Sequence, residues 1–185
     1  MKGVEAPFQL LVSVFAMILV VAIAFRVLNI VSNERCDQRW EQSLSALSSA
    51  ISSAAMAEPP TTEVVNLQLK CGDDFKHEIF VDQAEKSRCA RLCGEYVSTC
   101  YILVHNVYNR HNELIAQQFS CIRHLSPYLY ALLKSGKGNC GSDYTDFFNG
   151  SGGTADLNAW LDPKPVLTVY VFRNSDSIPV CIGKG

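Results

Sequence analysis

The run Ala6 to Phe25, APFQLLVSVFAMILVVAIAF, carries no charged side chain over 20 residues. A helix rises about 1.5 Å per residue, so the run spans about 30 Å, the thickness of a bilayer's hydrocarbon core. A buried helix of a soluble domain keeps a polar stripe, and here only Gln9 and Ser13 interrupt the apolar surface. A cleaved secretory signal needs a basic leader, a shorter apolar stretch and a small-residue cleavage site. This run instead continues without a break into Arg26, Val27 and Leu28. The expectation is a transmembrane helix over 6–28 that stays in the mature chain, with the lipid bilayer as its partner.

Pro7 suits the first turn of a helix, and neither proline nor glycine recurs from Phe8 to Glu58. Beyond Asn33 the sequence turns polar, yet Trp40, Leu44, Leu47, Ile51 and Ala54 recur at steps of four, three, four and three. That spacing puts them on one stripe of a continuing amphipathic helix, which needs a tertiary partner. The sheet containing Val166 to Phe172 is the partner expected for it. Pro59-Pro60-Thr61-Thr62 ends the helix, because proline neither donates to the helical ladder nor lets its predecessor stay helical. The organisation expected is a short leader at 1–3, a long helix at 4–58, a Pro-rich break at 59–62 and a Cys-rich head at 63–185. The fold class is α+β, a long N-terminal helix joined to a disulfide-rich antiparallel β head.

Lys2-Gly3, the acidic Glu5, the long apolar stretch and the amphipathic half-helix behind it together resemble an archaeal class III signal peptide and the helix of type IV pilin-like proteins. The resemblance covers about the first 58 residues. It implies that a prepilin-type peptidase recognises Lys2 and Gly3 and cuts after Gly3, making Val4 the mature N-terminus. It also implies that the apolar half packs in the membrane or among copies of itself or other pilin-like subunits, while the amphipathic half lies on a β-rich head. The sequence departs from the bacterial pattern in two places: Glu5 would be the second mature residue rather than the fifth, and Pro7 has no counterpart in the usual motif. Without the cut, the same segment is a signal anchor.

Eight cysteines, Cys36, Cys71, Cys89, Cys93, Cys100, Cys121, Cys140 and Cys181, all follow the apolar run. An even count on one side of a membrane segment reads as disulfides in an oxidising exterior, although eight cysteines allow 105 pairings. Basic residues do not decide orientation, since Lys2 stands against Arg26, Arg35 and Arg39 on the other flank. The thiols place the N-terminus in the cytoplasm and the head outside. A cytosolic zinc-binding head is the rival, but zinc favours short C-x-x-C knuckles and none occurs; Cys89 and Cys93 are four apart, which suits two half-bridges from one helix to two strands. Asn149-Gly150-Ser151 is a glycosylation sequon in keeping with an exterior head.

Within the head, Glu63 to Lys70 alternates as a strand, Glu78 to Val81 reads as a short strand and Ala84 to Val97 as a helix. Thr99 to Tyr108 and Glu113 to Ile122 read as a hairpin about an Asn109–Asn112 turn, followed by a helix capped by Ser126 and begun by Pro127. Gly138 to Gly153 reads as a long polar loop tied down by Cys140. Pro165 to Arg173 and Ile178 to Ile182 are returning strands about Asn174–Ser177.

With 48% hydrophobic residues, 18% charged ones and a net charge of -2, the chain is neither a disordered tail nor a nucleic-acid-coating protein. It holds no HExxH, GxSxG or GxxxxGK[ST]. His77, His105, His111 and His124 could act as bases for a nucleophile such as Cys140, but a nucleophile needs a free thiolate and all eight cysteines can pair. Asp73-Asp74 and Asp143 with Asp146 lack the alternating oxygen ligands of a calcium loop. The sequence therefore assigns no catalytic residue, metal ligand or cofactor. Two function classes stand: a pilin-like or single-pass membrane-anchored structural and interaction protein, which is not an enzyme, or an anchored exterior enzyme or ligand-binding module with its site in the loops around Cys140 and Phe147-Phe148.

Overall fold

A computed structural model describes residues 5–70, 75–135, 140–148, 153–157, 166–174 and 177–183. Lys2, Gly3 and Val4, Cys71, Asp73-Asp74 and Asn149 lie outside these residues. The structure is α+β, with an N-terminal apolar helix, shorter helices and antiparallel sheets carrying disulfides. Two units divide it, Met1–Gln38 and Arg39–Gly185.

Helix α1 runs without interruption from Glu5 to Met56. Its portion Gln9–Leu28 is long and apolar enough to cross a membrane, with a mean hydropathy of 2.7 and none of it buried. In the second unit, Trp40, Leu44, Leu47, Ile51 and Ala54 are all buried. The helix ends just before Pro59, and Thr61 Oγ1 donates to the Glu58 carbonyl across the bend at 2.7 Å.

Strand β1 follows at Thr61–Leu67, so the proline break is shorter than 59–62. Thr61 and Thr62 already pair with Arg173 and Phe172, and that ladder draws them into the sheet. The other elements are β2 (Lys76–Glu85), α2 (Lys86–Cys93), β3 (Thr99–Tyr108), β4 (Leu114–Ile122), α3 (Pro127–Lys134), β5 (Tyr144–Asp146), β6 (Thr154–Asp156), β7 (Leu167–Arg173) and β8 (Val180–Gly183). One sheet has the order β1-β7-β8-β5, the other β4-β3-β2-β6, and every strand pairing among the described residues is antiparallel.

Two local expectations change. Ala84 and Glu85 belong to β2 rather than to a helix, because they pair with Cys100 and Thr99 on β3. The helix that follows stops at Cys93, where Gly94 takes a left-handed φ of 68°, a conformation glycine adopts without a Cβ penalty. The expected polar loop also contains a strand: Tyr144, Thr145 and Asp146 pair with Gly183, Ile182 and Cys181. Tyr and Thr suit a strand, but three residues make one only by pairing with the edge of β8.

The second sheet is covered on both faces, and its central strand β3 is buried from Cys100 to Val107. On one face Ala84, Cys100, Ile102 and Val104 pack with Cys89, Leu92 and Cys93 of α2. The other face meets α1 through the Trp40 ring, which stands edge-on to His77 and His105, and through Ser48 Oγ, 2.6 Å from Ser120 Oγ on β4. Contact with the β1 sheet comes from Ser53, which donates to Glu63 at 3.0 Å, while Ser43 Oγ accepts the Gln68 amide just beyond β1 at 2.9 Å. The amphipathic half thus touches both sheets, whereas its periodicity alone suggested one.

Candidate functional site

Three disulfides are described, and each brings together elements the sequence separates. Cys89 and Cys93 lie one turn apart on α2, so they emerge on the same side of the helix. Cys89 bridges to Cys100 on β3 and Cys93 to Cys121 on β4, with Cα separations of 5.7 and 5.5 Å. Cys140 bridges to Cys181 on β8, with a Cα separation of 5.8 Å. Cys36 is also disulfide-bonded, and no cysteine among the described residues is free. Cys89 and Cys93, weighed against a zinc knuckle, are therefore each bridged to a cysteine on a different strand.

Among the described residues, two groupings of titratable side chains involve the histidines and cysteines considered above. The first is buried beneath Trp40. His77 on β2 and His105 on β3 alternate onto the same sheet face and stack with ring centroids 5.2 Å apart. His77 Nδ1 lies 3.0 Å from His105 Nε2, and His105 Nδ1 lies 3.4 Å from Gln118 Oε1. A neutral imidazole has one donor and one acceptor nitrogen. With Gln118 Oε1 accepting from His105 Nδ1–H, His105 Nε2 accepts from His77 Nδ1–H, and both rings are neutral. Burial holds the His77 imidazole down at about 3, with the neighbouring His105 adding to the effect. Burial likewise lowers His105 to about 4, against the raising effect of its Gln118 hydrogen bond. The cluster fits a satisfied polar core better than a metal centre, since the two facing nitrogens already occupy one another.

The second cluster lies on the β1 sheet. Asp146 stands opposite Cys181 in the β5–β8 pairing, and its Oδ1 is 2.8 Å from Cys140 Sγ. The three ligand atoms of Cys140, Asp146 and Cys181 lie within 4.8 Å of one another, the closest approach to a metal-ligand group among the described residues. Because the two sulfurs are bonded to each other, neither is the thiolate that a metal needs. Burial raises the Asp146 carboxyl above its ordinary range. Tyr144 and Tyr170 share this sheet face, their ring centroids 5.2 Å apart.

The residues considered for catalysis are not assembled. His77 and His105 are on the other sheet from the Cys140 bridge, and His111 and His124 are exposed. Phe147 and Phe148 are core residues, 0% and 3% exposed and packed edge-to-face. Asp143 is an exposed turn residue that accepts from Ser142 at 3.3 Å, while Asp146 turns toward the sulfur. Nothing in the sequence separates Asp146 from Asp143; only strand pairing does. The histidine pair was legible in principle, because extending β2 back to Lys76 puts His77 on the inward parity of Ile79 and Val81.

Comparison of the chain with protein-family models, curated proteins and solved structures returns no match.

Proposed function

We propose that this chain is a single-pass, membrane-anchored structural and interaction protein of the type IV pilin-like kind, with its N-terminus in the cytoplasm and its disulfide-bonded head outside. The observation that carries the reading is the contrast within α1. Leu10, Phe15, Met17, Ile18, Val20 and Phe25 are each more than half exposed, whereas the later stripe from Trp40 to Ala54 is buried. Twenty residues of apolar surface open on every side need either lipid or copies of the same helix around them. Leu, Ile, Val and Phe each favour the bilayer centre by about 0.3–0.6 kcal/mol, and an arginine there costs about 2.5–3.5 kcal/mol. Arg26 sits near the end of the span, where its long stem lets the guanidinium reach the interface. The disulfides support an oxidising exterior for the head.

Protease treatment of intact cells, compared with lysed cells, tests the arrangement. The head should be digested from outside and the membrane fraction should keep the N-terminal fragment; a head protected until lysis overturns the orientation. Mass spectrometry of the native N-terminus tests the pilin-like part. A start at Val4 supports peptidase processing, and a start at Met1 leaves an anchored protein that is not a processed pilin.

A further inference from the structure

Among the described residues the two sheets leave four strands at their edges, and three of these are blunted. Strands β5 and β6 are three residues long, and β1 carries the charge of Glu63. The fourth, β4, is nine residues long, and its sequence LIAQQFSCI contains no charge, proline or glycine. An edge strand turns alternate N–H and C=O groups away from its own sheet, and natural sheets guard such a row with charge, proline or brevity. Among the described residues, β4 pairs with β3 alone. Val107 pairs with Ala116 and Tyr108 with Leu114, so Ile115 is left out of the ladder and the regular row runs from Ala116 to Ile122. Leu114 and Ile115, at the irregular end, are 51% and 47% exposed. Just beyond Ile122 the row closes, because Ser52 Oγ accepts the Arg123 amide at 2.8 Å.

Charge at the two ends of the strand indicates what fits this edge. Glu113 immediately precedes β4 and Arg123 immediately follows it, and both are exposed. The Arg123 guanidinium lies 3.9 Å from Glu95, with most of its side chain still in water. An identical strand laid antiparallel about the middle of β4 brings Glu113 of one copy to the Arg123 end of the other, and two-fold symmetry makes that match twice. The uncharged run between the ends meets its own copy without like-charge repulsion. The same operation on β1 would set Glu63 near a second Glu63. We propose that β4 is a homotypic docking edge, at which the heads of two copies of this chain join antiparallel, β4 to β4, into one continuous sheet. This goes beyond anchoring: it gives the head a partner, and neither membrane orientation nor N-terminal processing enters its test.

The test uses the full-length protein in detergent, with the conservative variant Arg123→Lys supplying an amine to a zero-length carbodiimide. Positions 113 and 123 of one chain stand at opposite ends of an extended strand, about 30 Å apart, so an amide bond between them forms only between two copies. A covalent dimer whose peptide map joins Glu113 of one chain to position 123 of the other is expected. Absence of a dimer overturns the proposal. A dimer without that link also overturns it, and assigns association to another surface such as the apolar helix. A second arm measures self-association by sedimentation for Gln117→Lys and Gln117→Glu, at an exposed position of the strand. Each variant alone sets like charges across the two-fold axis and should dissociate about fivefold more readily than the wild type. Mixed in equal amounts, the two should associate more tightly than either does alone. Equal association of wild type, variants and mixture removes β4 from the contact. Should the variants of one arm not fold, the other arm decides.

Discussion

His77 Nδ1 and His105 Nε2 meet at 3.0 Å inside the core, beneath the edge of Trp40. One hydrogen bond between two neutral rings satisfies both facing nitrogens, and a proton added to either ring would have to be held away from water. The pair therefore ties folding to pH.

Both imidazoles titrate lower in the folded chain, at about 3 and about 4, than the ordinary 6.5. Between those values the unfolded chain binds more protons than the folded one, so stability is fully present above pH 6.5 and declines as pH falls toward 4. Each proton difference contributes a slope of up to about 1.4 kcal/mol per pH unit. Denaturant unfolding in detergent at several values from pH 7 to pH 4.5 should show this decline. His77→Leu/His105→Leu should flatten it, and an unchanged slope in the double variant would assign the effect to carboxylates instead.

Leu47 has no exposed surface, and Trp40 Nε1 donates to the Leu69 carbonyl at 2.7 Å. Leu47→Ala should cost about 2–5 kcal/mol through lost burial and the cavity left behind. Trp40→Phe keeps most of the ring but leaves a buried carbonyl unpaired, a loss of about 1–3 kcal/mol. Equilibrium unfolding of the solubilised protein checks both. Shifts near zero would mean that the helix is not part of the folded unit in solution.

The two bridges from α2 act on a helix of only eight residues, which has little stability of its own. Cys93→Ser/Cys121→Ser should cost about 2–4 kcal/mol. The amides of Lys86 to Cys93 should also lose hydrogen-exchange protection before those of β3 do. Uniform loss across the unit would show instead that α2 and the sheet open together.

Gly153 holds a positive φ of 77°, and a Cβ there would overlap the backbone carbonyl of Lys134 at the end of α3. Gly153→Ala meets both a strained conformation and a backbone that cannot move aside, so a loss of about 1–3 kcal/mol is expected. The melting temperature reports it. A change within error would show that the Gly153 segment shifts away from α3 at no cost.

The sequence by itself determined the long helix, its division into an apolar run and a buried stripe, and the β3–β4 hairpin, because these are written in spacing over consecutive residues. The cap at Ser126 is likewise local: its side chain accepts the Leu129 amide at 3.2 Å, three residues on. Tertiary structure decided the features whose partners are distant in the chain. Ala84 and Glu85 are strand rather than helix because β3 is beside them, and Tyr144 to Asp146 form a strand because β8 offers an edge. Eight cysteines leave pairing open on sequence grounds, and the fold selects Cys89 with Cys100 and Cys93 with Cys121 by setting α2 over those two strands. The meeting of His77 with His105, and of Asp146 with the Cys140–Cys181 bridge, has the same origin. Residue type fixes what a side chain can do, but register between strands far apart in sequence fixes which side chain stands next to it.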